Sequence, residues 1–303
     1  MDVKKKYKFN FTKVISYLFL TLGGIVMLYP LVYIFMASFF TAEEFNSSVL
    51  GFFPIAKNPT FDNFKALFLA NTDEYTLIYY KNSLFRTIYG TFNACLTSLL
   101  AGYVFARLQF KGKNVLFMIL LATQMMPSIV GTLPMFLELV RFPFAGGNSP
   151  IYGGTGLYDT MGVYILLNGG LINVMGTFLV KQAIEATPRE LVDAAKIDGA
   201  NTFQIIFRVI FPVVKTIIAY IAITSAIGIW NDWSVPFYYT DSRELQTIAS
   251  ALTRLTSFAG QEGALINYPA ILAFSLMLTV PSIIIFAIFQ KWIVEGIASA
   301  GLK

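Results

Sequence analysis

Residues Thr187–Pro212 read TPRELVDAAKIDGANTFQIIFRVIFP and form the longest charge-rich interruption between two strongly apolar segments. The stretch opens like a helix. Thr187 is placed to cap the backbone N–H of Glu190, Pro188 fits the first helical position, and Glu190 can reach back to complete a capping box. Leu191, Ala194 and Ala195 share a narrow apolar face, and Gly199 suits a C-terminal stop. Asn201 then starts a second helix, with Gln204 at the reciprocal position and Phe203, Ile206, Phe207 and Ile210 on one side. Two short helices joined at a glycine, with apolar segments at both ends, make a rigid lever. A helical hairpin lying on a bilayer surface fits the same pattern.

What surrounds this stretch belongs in lipid. Hydrophobic residues make up 56% of the 303 and charged residues 13%, whereas soluble domains carry about 25% charged residues. There is no histidine, which excludes imidazole acid–base chemistry and histidine metal ligation. Cys95 is the single cysteine, so no intrachain disulfide forms. Val14–Phe40 is uncharged and longer than a signal-peptide core, which predicts a retained membrane helix.

Working outward, six segments approach or exceed the roughly 20 residues a helical crossing needs. They lie within Val14–Phe40, Thr87–Ala106, Asn114–Leu137, Thr160–Val180, a stretch from about Val209 toward or past Asp232, and Gly263–Gln290. Pro269 suits a first turn and Pro281 predicts a kink. Basic residues cluster before the first segment (Lys4, Lys5, Lys6, Lys8, Lys13), between the second and third (Arg107, Lys111, Lys113), and between the fourth and fifth (Arg189, Lys196, Arg208, Lys215). Lys291 and Lys303 follow the sixth. An even number of crossings puts all four regions on one side, and the positive-inside rule makes it the cytoplasm. The expectation is an all-α polytopic membrane protein with six transmembrane helices and both termini cytoplasmic. It is one transmembrane domain, 1–303, with a first helix at 14–40, a five-helix core at 84–292 and the cytoplasmic loop at 187–212. The connections 41–83 and 141–159 are expected as outer loops, the second glycine-rich (GGNSP, YGGTG), and Leu245–Leu255 as a short outer helix.

Polar residues within crossings are the natural site candidates, because hydrocarbon penalises an unpaired donor or acceptor. They are Asn93 and Thr97, Gln124 beside Pro127, Asn168 and Asn173, and the run Thr224, Ser225, Trp230, Asn231 and Asp232. Together they suit a cavity for a neutral, hydroxyl-rich solute, with a tryptophan against its apolar faces. Interhelical packing explains the same residues, and Asp232 serves equally as a solute contact or a helix terminus. No P-loop motif and no buried carboxylate pair is present, which argues against ATP binding by this chain and against proton coupling more strongly than against ion coupling. An ion-coupled carrier and a membrane assembly protein without a transport path stay open at this point.

Asp193–Pro212, DAAKIDGANTFQIIFRVIFP, resembles the cytoplasmic EAA motif of permease subunits in ATP-binding-cassette importers. That motif is Glu-Ala-Ala, three residues, Gly, nine residues, then Ile-x-Leu-Pro. Ala194, Ala195, Gly199 and Pro212 match; Asp193 stands for the glutamate, and Val209 and Phe211 for the isoleucine and leucine. Asn82–Ser83, GYVFARLQFKGKN at Gly102–Asn114, ATQMMPS at Ala122–Ser128, WND at Trp230–Asp232 and the ending FQKWIVEGIASAGLK resemble the carbohydrate branch, in its MalG-like half. The resemblance implies the type I importer permease fold and no catalytic, cofactor or metal site in this chain. It implies a second homologous permease, two cytoplasmic ATPase subunits that bind ATP and Mg, an extracytoplasmic solute-binding protein and a carbohydrate cargo, in a prokaryotic cytoplasmic membrane, with no nucleic acid. Glu190, Asp193, Ala194, Ala195, Asp198, Gly199 and Phe203 would form the coupling element that meets the ATPase.

Overall fold

A computed structural model describes residues 11–47, 51–69, 75–142, 156–169, 172–258 and 267–301. The glycine-rich tract at 143–155 and the basic run Lys4–Lys8 lie outside the described residues. All regular structure among the described residues is helical. In chain order the elements are α1 (Phe11–Ala37), α2 (Ala42–Ser47), α3 (Asp62–Leu69), α4 (Tyr75–Arg107), α5 (Lys113–Thr123), α6 (Ser128–Val140) and α7 (Met161–Gly169). There follow α8 (Val174–Glu185), α9 (Glu190–Ile197), α10 (Thr202–Gln204), a π-helical segment (Ile205–Ile210), α11 (Phe211–Asn231), α12 (Ser234–Tyr239), α13 (Ile248–Phe258) and α14 (Tyr268–Gly301).

Among the described residues four helices are long and apolar enough to cross a membrane: Thr12–Ala37, Thr76–Arg107, Thr202–Asn231 and Tyr268–Lys291. The third and fourth expected crossings are each divided. α5 and α6 are 11 and 13 residues long, broken at Gln124–Pro127, because Pro127 lacks an N–H and biases its predecessor away from the helical region. α7 and α8 are 9 and 12 residues long, and Asn173 restarts the chain as the N-cap of α8, accepting from the Gly176 N–H at 2.7 Å. The second crossing is longer than its apolar core suggests. α4 has 33 residues, and about 20 residues counted back from Arg107 reach only Thr87, so Tyr75–Arg86 extends the helix beyond hydrocarbon. The region expected as one outer loop at 41–83 therefore holds α2, α3 and the start of α4. The fifth crossing begins at Thr202 and stops at Asn231, with Asp232 as its extended C-cap, so it does not run past Asp232.

The chain forms two compact units. One contains α1–α3 and α14 as far as Met277; the other contains α4–α13 and α14 from Leu278. In the larger unit α4 is the spine and packs against α8, α11 and α7. Leu99 and Tyr103 of α4, Val180 and Ile184 of α8, and Val214, Ile218 and Ile221 of α11 form its buried core. Close approach is set at Gly102, where a Cβ would lie 2.6 Å from Val180 Cγ1 and 3.2 Å from the Lys181 nitrogen. Lipid tails are as apolar as the side chains, so contact at this distance does what hydrophobic burial does in water.

Gly102→Leu should therefore separate α4 from α8 and cost about 1–3 kcal/mol through overpacking. Thermal unfolding of the purified protein in detergent measures this, and Val180→Ala should recover part of the loss. An unchanged midpoint for Gly102→Leu would show that the helices do not meet there.

Candidate coupling element and polar network

Arg107, the last residue of α4, donates from Nη2 to the carbonyl oxygens of Ile184 (2.9 Å) and Thr187 (2.6 Å). A cation at the open C-terminal carbonyls of α8 is favourable, and it fixes where the chain leaves that helix. Thr187 does not cap α9. Its hydroxyl donates back to the Ala183 carbonyl at 3.0 Å, and α9 starts without a side-chain cap. The expected capping box at Thr187 and Glu190 is thus absent, because the last turn of α8 takes the hydroxyl first.

The far end of α9 closes as expected. Gly199 adopts φ +80, its N–H reaches the Lys196 carbonyl at 3.0 Å, and the Ala200 N–H reaches Ala195 at 2.9 Å, the pair of bonds of a Schellman stop. The second capping box is present in full: the Gln204 N–H donates to Asn201 Oδ1 at 2.9 Å and the Asn201 N–H to Gln204 Oε1 at 2.8 Å. Pro212 falls in the first turn of α11, where its missing N–H costs least.

The apolar faces read from the pattern are buried only in part, at Ala195, Ile206 and Ile210. α9 turns Val192 and Ala195 inward, packed with Ala200, Ile205, Ile206 and Ile210. Leu191, Ala194 and Phe207 face out, Ile197 is 86% exposed and Phe203 68% exposed. A faint 3.6 period cannot choose between two apolar faces when both carry large side chains. Glu190, Asp193, Asp198 and Gly199 are exposed as well. The outcome is a rigid two-helix element with an apolar stripe rimmed by carboxylates and anchored at both ends. The Lys196–Asp193 pair at 3.2 Å is exposed and contributes little.

At the other end of α4, Asn82, Ser83 and Arg86 lie on one buried face. Arg86 Nη2 meets Asp232 Oδ2 at 2.6 Å and Nη1 meets the Asp232 carbonyl at 3.1 Å. The guanidinium lies 4.9 Å from the centre of the Tyr164 ring, and the Tyr164 hydroxyl donates to the Leu245 carbonyl. Asp232 Oδ1 accepts from the Ser234 N–H and hydroxyl at 3.0 and 2.6 Å, so one carboxylate ends α11, starts α12 and holds α4. Asn82 Nδ2 donates to the carbonyls of Glu244 (2.7 Å) and Gln246 (2.9 Å), and Ser83 Oγ accepts from Ile248, the first N–H of α13.

Asp159, at φ 54, receives the N–H groups of Asp241 and Ser242, both at 2.8 Å, and the Ser242 hydroxyl at 2.5 Å. Burial alone raises this carboxyl, but those three hydrogen bonds, with Arg254 nearby, outweigh it and hold the group below the ordinary carboxylate range. Arg254 donates to the Thr240 carbonyl at 2.8 Å and to Gln246 Oε1 at 3.2 Å.

The polar candidates from the sequence separate into groups. Thr97 joins two of them, donating to the Asn93 carbonyl at 2.8 Å and accepting from the Asn173 N–H at 3.4 Å. Trp230 is buried and donates to the Leu278 carbonyl at 2.9 Å, which gives it a packing role between α11 and α14. Asn231 Nδ2 reaches Ser282 Oγ at 3.1 Å while the residue stays exposed. The Thr224 hydroxyl is spent on the Tyr220 carbonyl at 2.9 Å, Gln124 is exposed at the α5–α6 break, and Ser225 is half-buried. Asn82, Ser83, Arg86, Arg107, Tyr164 and Gln246 were not among the sequence candidates. Arg86 carried a signal all the same: a basic residue at a crossing's end, with Asp232 at the end of another.

The sequence model of the family described as binding-protein-dependent transport system inner membrane component matches residues 98–299, which hold both the α9–α11 element and Asp232. The chain belongs to this family. Over 95% of its length it is 28% identical to the galactooligosaccharides transport system permease protein GanQ of Bacillus subtilis (strain 168), covering 94% of that protein. It is equally 28% identical, over 98% of both chains, to the arabinooligosaccharides transport system permease protein AraQ of the same organism. Among solved structures, a bacterial ABC transporter involved in the import of the acidic polysaccharide alginate has a chain with TM-score 0.74 at 21% identity, covering 96% of this chain and 99% of that one. That likeness shows the fold.

Two outcomes follow from the network. Arg86→Gln leaves Asp232 unpaired and should cost about 3 kcal/mol, the low end for a broken buried pair because a quarter of Asp232 stays exposed. Adding Asp232→Asn should return part of that loss in the same unfolding assay, and additive losses would rule out direct coupling. Asn tolerates positive φ, so Asp159→Asn tests the charge alone. The depressed carboxyl stabilises the fold above its unfolded value of about 3.9 and loses that effect as pH falls through its folded value. Asp159→Asn should therefore lower the midpoint at neutral pH, with the gap closing below about pH 4; a pH-independent gap would contradict this account.

Proposed function

We propose that this chain is one transmembrane half of an ATP-driven, binding-protein-dependent importer that forms the translocation path for a sugar or oligosaccharide. The observation that carries the reading is the exposed, doubly anchored helix pair α9–α10 inside the family-matched region. Such an element transmits a push without absorbing it. Glu190, Asp193, Ala194, Ala195, Asp198, Gly199 and Phe203 are the coupling residues in this reading, with Ile197 and Phe203 entering an ATPase cleft and the carboxylates meeting basic groups at its rim. ATP and Mg belong to two partner ATPases, and an extracytoplasmic binding protein delivers the cargo.

The relatives' oligosaccharide permease names support the carbohydrate assignment. Charge argues for a neutral cargo, because Arg86 and Arg254 are committed to internal partners. Asn93, Gln124, Asn173, Thr224, Ser225, Asn231 and, through packing, Trp230 and Asp232 border the solute path in this reading. The broken pairs α5–α6 and α7–α8 complete six crossings of a type I, MalG-like permease half in a prokaryotic cytoplasmic membrane. The single domain then comprises a first helix at 14–40, a core at 84–292 and the coupling loop at 187–212, with both termini cytoplasmic. A second, homologous permease completes the path.

The test is solute-stimulated ATP hydrolysis and uptake by the reconstituted complex across a panel of neutral and acidic oligosaccharides. Gly199→Pro cannot adopt φ +80 and should abolish uptake while ATP hydrolysis persists and membrane insertion is normal. Gly199→Asn, which tolerates that conformation, should retain most uptake. Normal uptake by Gly199→Pro at normal protein level would refute coupling through this turn, and an ATPase that never copurifies would refute the importer reading.

A further inference from the structure

Gly51–Ile55 lies in the smaller unit beside α1, and its position is set by Tyr29. The Phe52 ring stacks on Tyr29 with centroids 4.3 Å apart, Phe53 meets the same ring edge-on at 5.9 Å, and the Tyr29 hydroxyl donates to the Phe52 carbonyl at 2.6 Å. Tyr29 is not at the end of α1. It precedes Ala37, where the candidate crossing Thr12–Ala37 ends, by a helical rise of about 12 Å. Measured from Lys13 at the opposite end, about 30 Å of hydrocarbon takes about 20 residues and ends near Tyr33, so Tyr29 falls within it. The turn has folded back along α1 by about two helical turns from the end of that helix.

The turn's chemistry suits that depth. No charged residue lies between Glu44 and Lys57. Phe52 is 72% exposed, Phe53 57% and Ile55 76%, while Pro54 is buried. Irregular backbone in an apolar medium must have its polar groups satisfied; here Tyr29 serves the Phe52 carbonyl and Pro54 carries no N–H to satisfy. The polar arm is tied down separately, with the Lys57 N–H donating to Glu44 Oε1 at 2.6 Å and the Thr60 N–H to the Phe39 carbonyl at 2.8 Å. Asn63 Nδ2, buried, closes the end of α1 by donating to the Ser38 and Phe40 carbonyls at 2.8 and 2.7 Å. The turn is thus held against a membrane helix with its largest apolar side chains facing away from protein.

We propose that Gly51–Ile55 is a membrane-seated turn at the boundary of headgroups and acyl chains, and that Phe52, Phe53 and Ile55 contact lipid acyl chains. The surface continues the lipid-facing side of α1, most of whose apolar side chains are exposed. Lys57 and Asn58 mark the return to the aqueous side.

The experiment is spin-label accessibility in the assembled complex, reconstituted in vesicles of phosphatidylethanolamine and phosphatidylglycerol. Cys95→Ala removes the only native thiol, and labels are placed by Phe53→Cys, Ile55→Cys and Asn58→Cys. Collision with oxygen, which partitions into lipid, relative to a water-soluble nickel chelate should be several-fold higher at 53 and 55 than at 58. Equal nickel access at all three positions would put the turn in water and overturn the proposal. Low access to both reagents at 53 and 55 would mean a protein partner covers the surface, and would overturn it equally. Position 55 makes no ring contact, so its label reads the surface even if Phe53→Cys disturbs the Tyr29 stack.

Discussion

Arg86 and Asp232 meet at 2.6 Å with the arginine side chain only 1% exposed, and charges so enclosed must be paired. Each is also needed elsewhere. Asp232 ends α11 and starts α12 through Ser234, while Arg86 lies over Tyr164, whose hydroxyl holds the Leu245 carbonyl. The pair therefore sets more than its own geometry. Once Arg86 is fixed, Asn82 and Ser83 one turn earlier meet the carbonyls and N–H groups of residues 244–248, and α13 receives its starting point. A buried ion pair adds little net stability over an apolar pair of equal volume; what it contributes here is a single admissible arrangement of four chain segments.

The same helix carries an arginine at its other end, and the two do different work. Arg107 gathers the Ile184 and Thr187 carbonyls, so the element that begins at Thr187 is fixed to the spine rather than to a flexible turn. The Schellman stop at Gly199 and the capping box at Asn201 leave few soft dihedrals before the chain enters the helix ending at Asn231. α9 is thereby joined to α11 with little slack, and Asp232 follows the last residue of α11. The α9–α10 element and the Arg86–Asp232 network lie at opposite ends of the continuous helix Thr202–Asn231.

What the sequence revealed was local. Asn201 and Gln204 are three residues apart, and no other group competes for them, so their box was legible. Thr187 has the same motif, but its hydroxyl also lies within reach of the turn before it, and Ala183 takes it. Gly199 was legible because a stop followed by a new cap admits few other conformations. The division of the third and fourth crossings was half visible, as Pro127 and the glycines beside Asn173 mark the breaks while hydropathy averages across them. Arg86 was not among the site candidates because its partner lies 146 positions away, and no periodicity carries that distance. The apolar groupings in α9 and the π segment turn inward only in part, at Ala195, Ile206 and Ile210, since Leu191, Phe203 and Phe207 are as apolar as Val192 and Ile205; only the neighbours decide which set turns inward.

Lipid surroundings explain why so few contacts decide so much. Between helices in hydrocarbon there is no gain from removing apolar surface from water, and association rests on close packing and on polar groups finding partners. Gly102 against Val180 supplies the first, and the pairing of Arg86 with Asp232, where α4 leaves the hydrocarbon, supplies the second. Between these two positions the α4 seam is poorly supplied with hydrogen bonds: Thr87, Thr91 and Ser98 on α4, Thr177 on α8 and the Asn168 Nδ2 are buried without partners among the described residues. The seam of α4 with α7 and α8 thus rests on close packing along its length and on polar contacts chiefly near its ends. A change of register along the seam forfeits few hydrogen bonds there, whereas any movement at either end must break an arginine's contacts.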